Sequence, residues 1–195
     1  FDAVLSVTPY YNKPSQEGLY QHYSAISKVC PVPIILYNVP SRTGVNMSAE
    51  LTLRLARDFN NITAIKEASG DIDQIKEILN NKPESFDVLS GDDGLTLEII
   101  KNGGGGVISV IGQSHPFEFS SLVNHALDGD FMNAKVFHDQ LNSFYHYLYS
   151  EGNPSGVKAL LSLQGICKNN LRLPLVPISN KLYMDLKNFL DNEIN

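Results

Sequence analysis

Five short runs rich in aliphatic and β-branched residues, Ala3–Thr8, Pro33–Val39, Ile62–Ala68, Phe86–Ser90 and Gly106–Val110, alternate with stretches whose apolar residues recur every three or four positions. A short run that is apolar without alternation fits a strand covered on both faces, and a period of three to four fits a helix with one buried stripe. The pattern predicts βα units around a parallel sheet. Pro14-Ser15 enters the first helix, with Ser15 a plausible cap and Leu19, Tyr23, Ile26 and Val29 as its stripe. Ser48 caps the second helix, which carries Leu51, Leu55 and Phe59. Asp71 and Gln74 have the spacing of a capping box ahead of Ile75, Ile78 and Leu79, and Ser90-Gly91-Asp92-Asp93 leads into Leu95, Ile99 and Ile100.

After Val110 the alternation stops. Helices are predicted over about 116–128, 130–150 and 153–167, the last with Asn153 as N-cap and Pro154 in its first turn. An extended segment, Leu171-Arg172-Leu173-Pro174-Leu175-Val176-Pro177, precedes a short helix over about 180–190. The expected division is a βα part, residues 1–114, and a helical part, residues 115–195.

Composition narrows the function classes. Lys and Arg number 15 against 21 Asp and Glu, a formal net charge of −6, with no basic cluster, so nucleic acid and anionic membrane surfaces are poor partners. The longest apolar stretches, such as Ile34-Ile35-Leu36-Tyr37, fall far short of the roughly 18 residues of a membrane span. Cys30 and Cys167 form no CxxC pair, which points away from a disulfide framework and towards a reducing, cytoplasmic setting. The five histidines, at positions 22, 115, 125, 138 and 146, make no i, i+4 pair and no HExxH, so no metal is expected. Gly103-Gly104-Gly105-Gly106 lacks the GK[ST] of a phosphate loop and reads as a tight turn between helix and strand.

In parallel β/α architectures the chemistry gathers beyond the C-terminal ends of the strands. Lys66 is the most informative residue there. It follows Ile62-Thr63-Ala64-Ile65 within a strand expected to be buried, whereas the other lysines of the chain fall on predicted helices, loops or the tail. Desolvation disfavours an ammonium, leaving a neutral amine that can attack a carbonyl and form a Schiff base. The competing reading pairs its head with Glu67 or another acid. Tyr37, at the end of the neighbouring strand, is either a proton relay beside that amine or a core aromatic. Arg42 lies five residues on, its forked donors suited to a carboxylate. Tyr10 and Tyr11 are two large aromatics where solvent is expected, fitting a site, an interface or packing on the adjacent helix. Asp92 and Asp93 are read as helix-start acids rather than a metal pair.

Together the segments Val7-Thr8-Pro9-Tyr10-Tyr11-Asn12-Lys13-Pro14, Leu36-Tyr37-Asn38-Val39-Pro40-Ser41-Arg42-Thr43-Gly44, Ile65-Lys66-Glu67-Ala68-Ser69-Gly70, Leu89-Ser90-Gly91-Asp92-Asp93 and Gly106-Val107-Ile108-Ser109-Val110 resemble the dihydrodipicolinate synthase (4-hydroxy-tetrahydrodipicolinate synthase) family. The resemblance runs on through Asn153-Pro154 and Leu171-Arg172-Leu173-Pro174, covering nearly the whole chain. It implies a class I pyruvate aldolase on a (β/α)8 TIM barrel with added C-terminal helices. Such an enzyme condenses pyruvate with aspartate 4-semialdehyde in the diaminopimelate route to lysine. By that resemblance Lys66 is the Schiff-base lysine, Tyr37 relays protons and Arg42 holds a carboxylate at the site entrance. Ile108 aligns with a pyruvate contact, Gly91 lines the same pocket, and Tyr11 matches a tyrosine inserted into a neighbouring subunit's site, with Tyr10 at the same dimer interface. No cofactor is implied beyond the covalent link to pyruvate, and the implied assembly is a homotetramer, a dimer of dimers.

N-acetylneuraminate lyase and keto-deoxy sugar-acid aldolases share the lysine and tyrosine. Arg42 after Tyr-Asn-Val-Pro-Ser and the Ser-Gly-Asp-Asp loop favour the synthase, with the sugar-acid aldolases as the alternative. A phosphate-binding isomerase would leave Lys66 unexplained, and an inactive structural fragment is the third reading. Against the family's pattern the first three βα units have no counterpart here. They would carry a Thr-Thr motif for the pyruvate carboxylate and most of a lysine-feedback site. The chain is thus expected to supply barrel strands four to eight, an open sheet with an apolar inner face, against the roughly 250 residues of a whole barrel.

Overall fold

The computed structural model describes residues 1–193. The last two positions of the expected helical part lie outside the described residues. Up to Ile108 the chain forms one compact unit. Its strands β1 (Val4–Val7), β2 (Ile34–Asn38), β3 (Ile62–Glu67), β4 (Asp87–Ser90) and β5 (Gly106–Val107) make a wholly parallel sheet in the order β1-β2-β3-β4-β5. Consecutive parallel strands joined by helices are the βα units that the alternation predicts. β5 is shorter than expected, since the chain leaves the sheet after Val107 once the Ile108 amide has donated to the Ser90 carbonyl at 2.9 Å.

The helices are α1 (Gln16–Val29), a single turn α2 (Pro40–Thr43), α3 (Ala49–Asp58), α4 (Ile72–Asn81) and α5 (Thr96–Lys101). The side chains of Ser15 and Ser48 accept from the amides of Gly18 and Leu51, capping α1 and α3. Asp71 caps α4 by accepting from the amides of Asp73 and Gln74. The expected capping box is only half made: the Gln74 amide group turns instead to Asn46, Met47 and Glu67. α5 starts later than expected, with Leu95 at the cap. Val29, read as part of the α1 stripe, is 80% exposed at the end of the helix.

Alternation along the strands splits the sheet into two faces. On the outer face, Ile34 and Leu36 of β2, Ile65 of β3 and Val88 of β4 are fully buried against Leu19 and Tyr23 of α1, Leu51 and Leu55 of α3, Ile75 and Ile78 of α4 and Ile99 of α5. A fully buried side chain of this kind contributes about 1.5–3 kcal/mol. On the inner face, Leu5 and Val7 of β1 are 45% and 37% exposed. Among the described residues β1 and β5 are the sheet edges.

From Ser109 onward the chain forms a second compact unit. A 3-10 turn (Ile111–Gln113) precedes α6 (Pro116–Leu127), α7 (Phe131–Tyr149), α8 (Ser155–Leu163) and α9 (Asn180–Glu193). α6 and α7 pack on each other through a tight connection in which the Asp130 amide donates to the His125 carbonyl and Gly129 takes a φ of 79°. α8 begins two residues later than expected, with Pro154 rather than Asn153 at the cap, and ends before Cys167. A Cβ on Gly156 would meet the carbonyl of Leu148 and come within 2.6 Å of that of Tyr147, so glycine is what lets α8 approach α7. Among the described residues no helix is long and apolar enough to cross a membrane.

Candidate active site

The parallel register aligns one inward row at the C-terminal ends of the strands: Val7 of β1 opposite Tyr37 of β2, Tyr37 opposite Lys66 of β3, and Lys66 opposite Leu89 of β4. Adjacency on neighbouring strands brings the Lys66 Nζ to 4.3 Å from the centre of the Tyr37 ring. The amine therefore sits against an aromatic face, and partial burial is the main cause that lowers the Lys66 pKa from its ordinary value. The positive charge of Arg42 pushes the same way and the negative charge of Asp93 opposes it. Burial raises the Tyr37 pKa, offset in part by Arg42, so the phenol keeps its proton at neutral pH.

Glycine at position 91 makes room for this amine. A Cβ there would stand 2.7 Å from the Ala68 Cβ, 3.0 Å from the Glu67 carbonyl oxygen and 3.1 Å from the Lys66 Cε. The Gly91 amide donates to that Glu67 carbonyl at 2.7 Å, drawing the ends of β3 and β4 together beneath the side chain.

Arg42 stands on the single-turn helix α2 rather than on an irregular loop. Pro40 starts the turn, Gly44 ends it with a φ of 71°, and the buried Thr43 hydroxyl donates to the Val45 carbonyl at 2.9 Å. A short, hydrogen-bonded turn holds the guanidinium's stem firmly while its head remains accessible. Arg42 and Tyr37 share the lining of an open cavity of about 480 Å³ with Leu5, Val7, Tyr10, Val39 and Thr43.

Of the residues singled out in the sequence, Lys66, Tyr37, Arg42 and Gly91 come together, and Tyr10 reaches the same cavity. Tyr11 is 90% exposed and does not line that cavity; its φ of 66° places it in the left-handed region. Ile108 lies half-buried just beyond β5, hydrogen-bonded to the end of β4. The reading in which Lys66 pairs with Glu67 fails because consecutive strand residues point to opposite faces. Glu67 directs its oxygens to Asn38, the Ser69 amide and Gln74. The acid that acts on Lys66 is Asp93, buried to 1% exposure. Sequence reasoning assigned Asp92 and Asp93 one role. Asp92 does take the turn amides of Gly94 and Leu95, but Asp93 is a buried counter-charge. Two adjacent aspartates carry no signal that would separate them before the loop is folded. Among the described residues no group of three or more His, Cys, Asp or Glu is placed to hold a metal ion.

A parallel β/α sheet carrying a desolvated amine, a phenol and an arginine at the C-terminal rim places the chain among the β/α-barrel proteins. The chain belongs to the dihydrodipicolinate synthetase family, whose profile matches residues 1–193. It is 60% identical over 176 residues to a 4-hydroxy-tetrahydrodipicolinate synthase of Phocaeicola vulgatus, an alignment covering 90% of this chain and 59% of that protein. The crystal structure of dihydrodipicolinate synthase from Aquifex aeolicus superposes with a TM-score of 0.95 at 41% identity, covering 99% of this chain and 66% of that one. A monomeric dihydrodipicolinate synthase variant superposes with a TM-score of 0.94 at 44% identity, covering 97% and 64%. The chain thus spans about three fifths of the length of the curated relatives it matches, and its five strands form part of a barrel.

Proposed function

We propose that the protein carrying this chain condenses pyruvate with aspartate 4-semialdehyde to 4-hydroxy-tetrahydrodipicolinate through a Schiff base on Lys66. The observation that supports this reading most directly is the Lys66 amine held against the Tyr37 ring with its pKa lowered by burial. A neutral amine is the form that attacks a ketone. Its Nζ adds to C2 of pyruvate, and the carbinolamine loses water to give the imine. Loss of a C3 proton yields the enamine, whose carbon attacks the aldehyde of the second substrate while the aldehyde oxygen gains a proton. The second substrate's own amino group then displaces Lys66 at C2, which closes the ring and regenerates the amine. The Tyr37 hydroxyl, on the ring that lies against the amine, is assigned the proton transfers at the imine and enamine steps.

Arg42, on its rigid turn at the cavity, is assigned the carboxylate of the second substrate. The family's relatives that carry a synthase name favour this reaction over the sugar-acid aldolases. Ile108 and Gly91 are proposed to line the pyruvate pocket, with glycine needed at 91 to leave space beside Lys66. Tyr11 is proposed to complete a proton relay in a neighbouring subunit, with Tyr10 beside it. A large aromatic both exposed and held at positive φ, which costs about 1–3 kcal/mol, is explained by a contact outside its own chain. The assembly proposed is a homotetramer in the cytoplasm, and no cofactor beyond the covalent pyruvate adduct is invoked. Sedimentation of the full-length protein tests the assembly, since a monomer would remove the role given to Tyr11.

Borohydride reduction in the presence of pyruvate is expected to add the mass of the reduced adduct to the one peptide containing Lys66. Labelling that persists in Lys66→Ala would overturn the assignment. Arg42→Ala is expected to impair use of aspartate semialdehyde more than it slows adduct formation with pyruvate, and equal loss of both would remove its proposed role.

A further inference from the structure

One residue beyond the inward row of Val7, Tyr37, Lys66 and Leu89 lies an outward row of Asn38, Glu67 and Ser90 on β2, β3 and β4, with Thr8 just past β1, every one of them fully buried. At its centre Glu67 is a carboxyl group with no solvent contact, its pKa raised by burial against hydrogen bonds from Asn38, Ser69 and Gln74 that favour its charge. An apolar side chain of similar size would fill that space without the cost of burying an acid. The carboxylate's bonds instead connect the parts of the site. Both oxygens accept from Asn38 Nδ2 at 3.2 Å, across the β2–β3 register pair that immediately follows Tyr37 and Lys66. One oxygen accepts from the Ser69 amide at 2.7 Å, fixing the chain as it leaves β3, and the other from Gln74 Nε2 of α4 at 3.3 Å. Asn38 in turn accepts from the Met47 amide at 3.0 Å and donates to Asn46 Oδ1 at 2.8 Å, so the segment leading away from the Arg42 turn is tied to the same point.

We propose that Glu67 is a positioning residue: from the outer face of the sheet it sets the separation of Tyr37 and Lys66 on the inner face, using Asn38 as the rung between their strands. The proposal rests on the Schiff-base reading. A carboxylate accepts at both oxygens, and Glu67→Gln turns one of them into a donor that must face another N–H donor, so the rung relaxes while the side-chain volume stays.

The test is the rate constant for labelling by pyruvate and borohydride at Lys66 in the full-length protein that contains this chain, read by mass spectrometry. A partly unfolded population lowers the amplitude of labelling and leaves its rate constant alone, whereas displaced groups lower the rate constant. Glu67→Gln is expected to keep the circular dichroism and full labelling amplitude while the rate constant falls about tenfold to a hundredfold. Gln74→Met, on a half-buried helix position, removes the longest of the carboxylate's bonds and is expected to give a fall of about threefold. A folded Glu67→Gln that labels at the parent rate overturns the proposal and leaves the Schiff-base reading standing. Should Glu67→Gln not fold, an unchanged rate constant in Gln74→Met overturns it. An unlabelled parent protein defeats the Schiff-base reading, and the proposal with it.

Discussion

The two faces of one sheet obey different rules although they are built from alternate residues of the same strands. The outer face is closed: Ile34, Leu36, Ile65 and Val88 are fully buried, and the buried polar groups Asn38 and Glu67 are engaged with each other and with their neighbours. The inner face is open: Leu5 and Val7 are partly exposed, Lys66 and Tyr37 are half-buried, and the 480 Å³ cavity is lined by Leu5, Val7 and Tyr37. One face meets the requirements of stability, with apolar area removed from water and the buried Asn38 and Glu67 hydrogen-bonded. The other keeps an amine half-buried, with its pKa lowered by burial, beside an open cavity. The two-residue period of a strand lets a single short segment, Ile65-Lys66-Glu67, serve both faces at once.

The sharpest break of this comparison is at Tyr37. Tyr37→Phe keeps the ring beneath the Lys66 amine and removes only the hydroxyl, so turnover is expected to fall by about 10²-fold or more with the thermal melt unchanged. Turnover near the parent value would leave the inner face without its proton carrier.

Next come paired truncations of the two faces. Leu36→Ala, fully buried on the outer face, is expected to lower the stability of the 195-residue chain by about 2–5 kcal/mol in urea denaturation. Leu5→Ala on the inner face is expected to cost less than about 1 kcal/mol there. An equal loss at Leu5 would mean that the inner face is covered in solution, by a second copy or by another part of the chain.

The smallest expected effects are electrostatic and opposite in sign. Adduct formation requires neutral Lys66, so its rate rises with pH and levels off above the lowered pKa. Asp93 favours the ammonium, and Asp93→Asn should move that profile to lower pH. Arg42 disfavours it, and Arg42→Met should move the profile to higher pH. Shifts in the same direction for both variants, measured as labelling rate against pH, would show that one of the two charges does not act on the amine as described.

Much of the sheet was legible because strand and helix periods are local properties. The five strands, the caps Ser15, Ser48 and Asp71, and the place of Lys66, Tyr37 and Arg42 at strand ends all follow from spacing and residue type. What spacing could not show was partnership. Gln74 has the capping-box position, yet its Oε1 accepts from Asn46 and its Nε2 donates to Glu67 and Met47, while the Asp71 amide that a capping box would bond to it donates to the Ser69 hydroxyl. Asp92 and Asp93 look alike in sequence and are separated only by the turn that points one to the helix entry and buries the other. Val29 keeps the helical period but lies where α1 has run past the core.

By itself the sequence determined that a lysine, a tyrosine and an arginine would stand at the C-terminal rim of a parallel sheet, since alternation, caps and turns are written within a few residues of each group. Only the tertiary structure decided how those groups are tuned. The parallel register set Lys66 over the Tyr37 ring, and β4 brought Gly91 beneath the amine. The folded loop selected Asp93 rather than the adjacent Glu67 as the acid acting on Lys66. Burial and distance between residues remote in sequence control a pKa, and neither exists until the strands have paired.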